Sequence, residues 1–173
     1  ELEIVHLLRF LSELGEPGDF AVGTREFARR WEFLQDTAES RLKLRRTSYD
    51  SVVQDDPAYR WAPAYAEVSG LLPVRSADAL PRFPDGVPVA FLRCEFQVTR
   101  KGLVALKLND PRGLSVWIDR MPSPVRSTIA VELNEGRHRV TIAVDTHIRN
   151  SPVRLELPAP TESSGQAQWI TGK

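Results

Sequence analysis

One cysteine in 173 residues, Cys94, excludes an internal disulfide, and its histidine neighbours are too few and too scattered for a zinc site. The chain also lacks a Cys-x-x-Cys-His pair, so it cannot attach haem covalently in the usual way. Charge of one sign is missing: 23 basic and 23 acidic side chains cancel, which removes the positive footprint of a nucleic-acid binder. No run is long and apolar enough to span a bilayer, and no segment reads as a signal peptide. Because Glu1 already stands inside a helical pattern, the chain is expected to be cut from something longer, and the missing leader says nothing about where the parent protein lives. Catalytic phrases are absent as well. There is no Gly-x-Ser-x-Gly elbow, His-Glu-x-x-His pair, P-loop or dinucleotide-binding glycine pattern, and His6, His138 and His147 are far apart. These absences point away from an enzyme.

What is present is period two. Ala90, Leu92, Cys94, Phe96 and Val98 alternate with Phe91, Arg93, Glu95, Gln97 and Thr99. Val104-Leu106-Leu108, Val116-Ile118, Ile129-Val131-Leu133, His138-Val140-Ile142-Val144 and Val153-Leu155-Leu157 follow the same rule. Alternation of this kind sets one face of an antiparallel sheet on a core and the other toward water. Cys94 falls on the apolar side, as a buried thiol acting as a small hydrophobe. Short turns at Lys101-Gly102, Asp110-Pro111-Arg112-Gly113 and Asn134-Glu135-Gly136 imply a meander closing as a β-sandwich or jelly-roll.

The N-terminal part reads as two or three helices. Ile4, Leu7, Leu8, Leu11 and Leu14 form an apolar stripe ended by Gly15 and Pro17. Residues 24–34 fit a helix capped by Thr24 or, almost as well, a strand of Phe27, Arg29, Trp31 and Phe33. Asp36 is a plausible cap for a helix ending near Arg46 with Leu42 and Leu44 as its apolar residues. Residues 55–63 read as loop, Tyr65 to Leu72 as a first strand stopped by Pro73, and 75–88 as irregular. The expected organisation is therefore a helix over 1–15 belonging to a preceding domain, a helical and loop region over 16–64, a sandwich over 65–157 and a tail over 158–173, with Trp169 tucking back.

Three groups of residues are candidates for function. Trp117 and Asp119 lie opposite the inward Val116 and Ile118, and with Arg139 they would make an aromatic and polar surface suited to a sugar. The alternative is that the N-terminal helices cover Trp117. Asn109, Asp110 and Asp145 sit at strand ends, where loops of β modules hold calcium, although Pro111 and Arg112 suit simple turn chemistry. Arg29, Arg30, Arg45 and Arg46, interleaved with acidic residues, form either a salt-bridged solvated face or a docking face for a neighbouring domain.

Leu7 through Gly15 resembles the closing helix of the c-type cytochrome domain in large multidomain proteins of planctomycetes, which join a sugar-dehydrogenase-like propeller to a haem domain and a C-terminal β module. Ala21-Val22-Gly23-Thr24, Ala28-Arg29-Arg30-Trp31, Leu44-Arg45-Arg46-Thr47-Ser48 and Trp61-Ala62-Pro63-Ala64-Tyr65 resemble the region after that helix. Gly113 through Asp119 and Glu135-Gly136-Arg137-His138 resemble PA14-like and related carbohydrate-binding sandwiches, without their paired acidic calcium motif. The resemblance implies a periplasmic or secreted parent that carries haem c outside this chain. It implies for the chain itself a non-catalytic accessory module, without a cofactor of its own beyond a calcium ion, that binds glycan or docks neighbouring domains, or else a purely structural scaffold. A hydrolase would need two converging carboxylates or a paired serine and histidine, which the sequence does not offer at short range.

Overall fold

The computed structural model describes residues 27–47, 49–81, 86–158 and 164–170. The expected helix over 1–15 and half of the 158–173 tail lie outside these residues. The described chain is mainly β, and every strand pairing in it is antiparallel. No helix among the described residues is long and apolar enough to cross a membrane.

The spine is β4 (Pro88–Arg100), whose partner β9 (Gly136–Asp145) runs beside it from Val89↔Asp145 to Val98↔Gly136. Beyond β9 lie β6 (Leu114–Ile118) and β7 (Met121–Ser123). On the other side of β4 come β1 (Arg30–Leu34), then β2 (Trp61–Tyr65), with β3 (Leu80–Pro81) and β11 (Gln166–Trp169) pairing its two ends. A second sheet holds β10 (Leu155–Glu156), β5 (Gly102–Leu108) and β8 (Thr128–Leu133) in that order. From β4 onward the chain thus crosses between sheets at every connection except the one from β6 to β7, which corrects the expected meander. Short turns are compatible with either path, because Lys101 alone can carry the chain from β4 to a strand of the other sheet.

Alternation explains the crossing. Ala90, Leu92, Cys94, Phe96 and Val98 of β4, Val140, Ile142 and Val144 of β9, Val104, Leu106 and Leu108 of β5, and Ile129 and Leu133 of β8 all belong to one buried cluster. Strands with one apolar face satisfy it by meeting the apolar face of another sheet, and each buried Leu, Ile or Phe contributes about 1.5–3 kcal/mol. Burial pushes the Cys94 thiol well above its ordinary value, so it stays a neutral core group.

The 24–34 ambiguity resolves at β1 as a strand, because Trp31 and Phe33 reach that same core while the backbone pairs β2 and β4. β2 replaces the loop expected over 61–63. It ends where a strand was expected to begin, since Gly70 (φ +76) turns the chain back and Glu67 N–H donates to Leu71 O. A methyl group at Gly70 would stand 2.6 Å from Phe27 Cγ, so this close approach requires glycine. The helix α1 (Ala38–Arg46) is capped by Thr37 rather than Asp36: Thr37 has extended backbone angles and accepts from Ser40 N–H, while Asp36 pairs with Arg41. Leu44 is its buried contact and Leu42 is half exposed. A second short helix, α2 (Asp50–Val53), follows and buries Ser51, Val52 and Val53.

These helices cover half of the outer face of the large sheet. Leu44, Val52, Val53 and Tyr59 pack with Val89, Phe91, Ala143 and Trp117 in a second core, where Tyr49 meets Phe91 and Trp117 edge-on at 5.1 and 6.2 Å. The uncovered half of that face holds charged residues. Trp169 does tuck back, as the last residue of β11, onto Phe96 at 5.9 Å.

Candidate functional site

On the uncovered half, alternate positions of β4 and β9 carry Arg93, Glu95, Arg137 and Arg139, and the register sets Glu95 directly across from Arg139. The loop after α2 brings Asp55, with φ +56, over them. A chain of alternating charge results. Glu32 of β1 accepts from Arg93 at 2.5 Å, Arg93 also reaches Asp55 at 3.2 Å, and Asp55 pairs with Arg139. Arg139 donates to Glu95 at 2.8 Å, and Glu95 lies 3.5 Å from Arg137. Burial works against the Arg139 charge, but the hydrogen bonds and fields of Glu95 and Asp55 more than offset it, holding the guanidinium above its ordinary value. Arg93 additionally lies 4.1 Å over the Trp61 ring.

Asp119 closes one end of this row. It occupies the left-handed region (φ +55) in the Asp119-Arg120 turn between β6 and β7. Its N–H donates to Arg139 O at 2.7 Å and its Oδ1 accepts from Arg139 N–H at 3.0 Å, so it extends the sheet ladder by one residue. His138 Nδ1 stands 2.9 Å from Asp119 Oδ2 and His138 Nε2 stands 2.9 Å from Asn134 O, and the tautomer decides which nitrogen donates. Each imidazole nitrogen thus has an oxygen of the chain as its neighbour. Val53, Asp55, Glu95, Asp119, Arg120, Arg137, His138 and Arg139 together line an open depression of about 220 Å³. A second depression of about 490 Å³ runs along β2 beside Tyr65, which is 70% exposed.

The sugar-face candidates are thus divided. Asp119 and Arg139 meet in one groove, as their placement opposite the core implied. Trp117 is only 7% exposed and belongs to the second core, so it offers no ring to a ligand. Alternation told correctly which way Trp117 points. That the 38–59 segment lies on top of it was not legible from the strand pattern. Asp55 and Glu95, which hold Arg139, were missed. The signal for Glu95 is the charged outer row of β4 opposite that of β9, while Asp55 arrives from a loop with no local signature.

The calcium candidates are placed differently. Asn109 Oδ1 accepts from Arg154 N–H at 3.0 Å, Asp110 binds Arg112, and Asp145 Oδ1 accepts from His147 N–H at 3.0 Å. Among the described residues no three or more His, Cys, Asp or Glu side chains are grouped to hold a metal. The cation at this corner is Arg149, whose side chain is 2% exposed. Its Nε donates to Ser151 O, Nη1 to Asp110 O and Arg112 O, and Nη2 to Asn109 Oδ1 and Pro152 O. All five N–H groups find acceptors. Burial pulls the guanidinium below its ordinary value, with the Asp110 charge opposing that shift.

Side-chain and backbone hydrogen bonds from Arg112 lower the Asp110 carboxyl to about 2 from 3.8. A depressed carboxyl stabilises the fold above its unfolded value and loses that contribution as pH falls toward the folded one. Asp110→Asn is therefore expected to flatten the fall in melting temperature between pH 4 and pH 2, measured by thermal denaturation beside the native chain. An unchanged slope would mean that other carboxylates set the acid limit.

Arg29 and Arg30 stand at the entry to β1, where half-buried Arg29 donates to Val68 O at 3.4 Å and Arg30 is exposed. Arg45 and Arg46 are exposed in the last turn of α1, where positive charge favours the helix dipole. The four belong to two segments rather than one continuous run.

No protein-family model matches this chain, and no curated protein matches it.

Proposed function

We propose that this chain is a non-catalytic accessory module, a β-sandwich of jelly-roll type, whose work is to hold neighbouring domains of a larger extracytoplasmic protein in place. The observation that carries this reading is the burial of Trp117. The aromatic residue best suited to a sugar platform instead joins the helical layer to the sheet, as a scaffold requires. The resemblance of the N-terminal residues to a cytochrome's closing helix supports a periplasmic or secreted redox parent, with haem c held elsewhere in it. The exposed Tyr65 beside a depression of mixed polar and apolar lining suits contact between domains.

A second reading, glycan binding, is favoured by the groove itself. Asp119, Asp55 and Arg139 present acceptors and donors side by side, as a vicinal diol requires. A glycan-array screen of the native chain beside an Asp119→Asn, Arg139→Gln double variant, with and without calcium, separates the two. The scaffold reading expects no specific signal under either condition. Specific binding that the double variant loses would overturn it in favour of a carbohydrate-binding groove.

A further inference from the structure

An edge strand with free N–H and C=O groups is a template for another strand, and this chain protects almost all of its edges. On β2, Gln35 N–H donates to Arg60 O at 2.8 Å and Ala66 N–H to Arg29 O at 2.9 Å. With the β1–β2 register, these bonds turn Ala62 and Ala64 toward β1 and the backbone of Trp61, Pro63 and Tyr65 outward. The central outward residue is a proline, which has no N–H to offer. On β7 the same logic holds. The Asp119 N–H bond to Arg139 O turns the backbone of Trp117 toward β9 and that of Ile118 toward β7, so Pro122, opposite Trp117, faces out. β11 is short and bulged between Gln166 and Ala167, and β3 ends in Pro81. At β10 the outward carbonyl of Leu155 already accepts Ala28 N–H at 2.9 Å.

β8 has none of these devices. Its six residues, Thr128–Leu133, include no proline, lysine or arginine, and its pairing with β5 is unbroken. Leu108 N–H donates to Ser127 O at 2.8 Å, so Ile129, Val131 and Leu133 bond to β5. The N–H and C=O groups of Thr128, Ala130 and Glu132 therefore point away from the sheet. Among the described residues, β8 is the one long edge left without protection.

We propose that β8 pairs antiparallel with β8 of a second copy of this chain, about a two-fold axis at Ala130, joining the two small sheets into one. The strand is self-complementary in the register that engages all three outward residues. Ala130 faces Ala130 of the second copy, and Thr128 faces Glu132, so no like charges are opposed. The small side chain at the axis admits close approach. Ile129 and Leu133 remain in their own core throughout. With a net charge of zero, the two copies carry no bulk repulsion to overcome.

Sedimentation velocity over a concentration series, using the whole 173-residue chain, tests this. The native chain is expected to dimerise. Ala130→Pro removes only an N–H that the monomer does not use, yet deletes both hydrogen bonds at the axis, raising the dissociation constant at least about tenfold. If that variant fails to fold, Ala130→Lys serves instead, because its exposed side chain opposes a second lysine across the axis and weakens the dimer by about threefold. Thr128→Lys faces Glu132 of the second copy and is expected to tighten the dimer by a similar factor. A native chain that is monomeric at every concentration would overturn the proposal. So would a dimer whose affinity is the same in Ala130→Pro and Ala130→Lys.

Discussion

Arg149→Ala is expected to lower folding stability by about 3–5 kcal/mol, the scale seen when one member of a buried charged network is deleted. The side chain ties the connection between β5 and β6, through Asn109, Asp110 and Arg112, to the connection between β9 and β10, through Ser151 and Pro152. Alanine removes all five of these hydrogen bonds at once, and a hydrogen bond to a charged group is worth about 1.5–3 kcal/mol. Lysine is expected to rescue little, because an ammonium has three donors and cannot reproduce the planar fork. For a chain of this length the alanine variant should melt roughly 10 °C lower. Equilibrium urea unfolding of both variants provides the measurement. A loss below about 1 kcal/mol for Arg149→Ala would show that water replaces the guanidinium without strain.

The second large effect is expected at Trp117. Alanine there removes a large side chain from the cluster that joins α1 and α2 to the outer face of the sheet, and such truncations cost about 3–5 kcal/mol. Because Tyr49 and Phe91 line the same space, the helical layer should loosen before the main core does. Hydrogen exchange would read this as faster exchange over 38–53 with β4 and β9 still protected, while Trp117→Phe recovers most of the loss. If Trp117→Ala left stability and exchange unchanged, the ring would be a surface group after all, and the sugar-platform reading would return.

The contrast between Trp117 and the β4 core shows what the sequence could and could not disclose. Period two is a property of one strand, so Ala90, Leu92, Cys94, Phe96 and Val98 could be assigned to a common face without knowing any partner. Phe91 carried the opposite signal: an apolar residue on the wet side, paired with Ala143 and one row along the same face from Trp117. Three apolar residues on an outer face imply a cover, and α1 and α2 are that cover. Strand order was not legible, because connections of one to five residues serve a hairpin and a crossover equally well. The same limit hid the groove. Asp119 and Arg139 could be placed on one side of the sheet. The contribution of Asp55, however, depends on where a loop some forty residues before Glu95 comes to rest, and no local pattern encodes that. His138 could be placed in the row of Val140, Ile142 and Val144, though not as the partner of Asp119.

The repeated passage of the chain from one sheet to the other has a consequence in time as well as in space. β4 pairs along most of its length with β9, a strand that begins dozens of residues later, and β5 waits for β8 in the same way. Among the described residues, the Asp119-Arg120 hairpin is the one tight two-residue link between paired strands. Loop closure must therefore be spent before most contacts can reward it, which places this topology among slow folders, in the range of milliseconds to seconds typical of non-local β proteins. A nascent chain emerging from the ribosome would hold β4, with both its faces apolar at Val89 through Leu92, unpaired until β9 arrives.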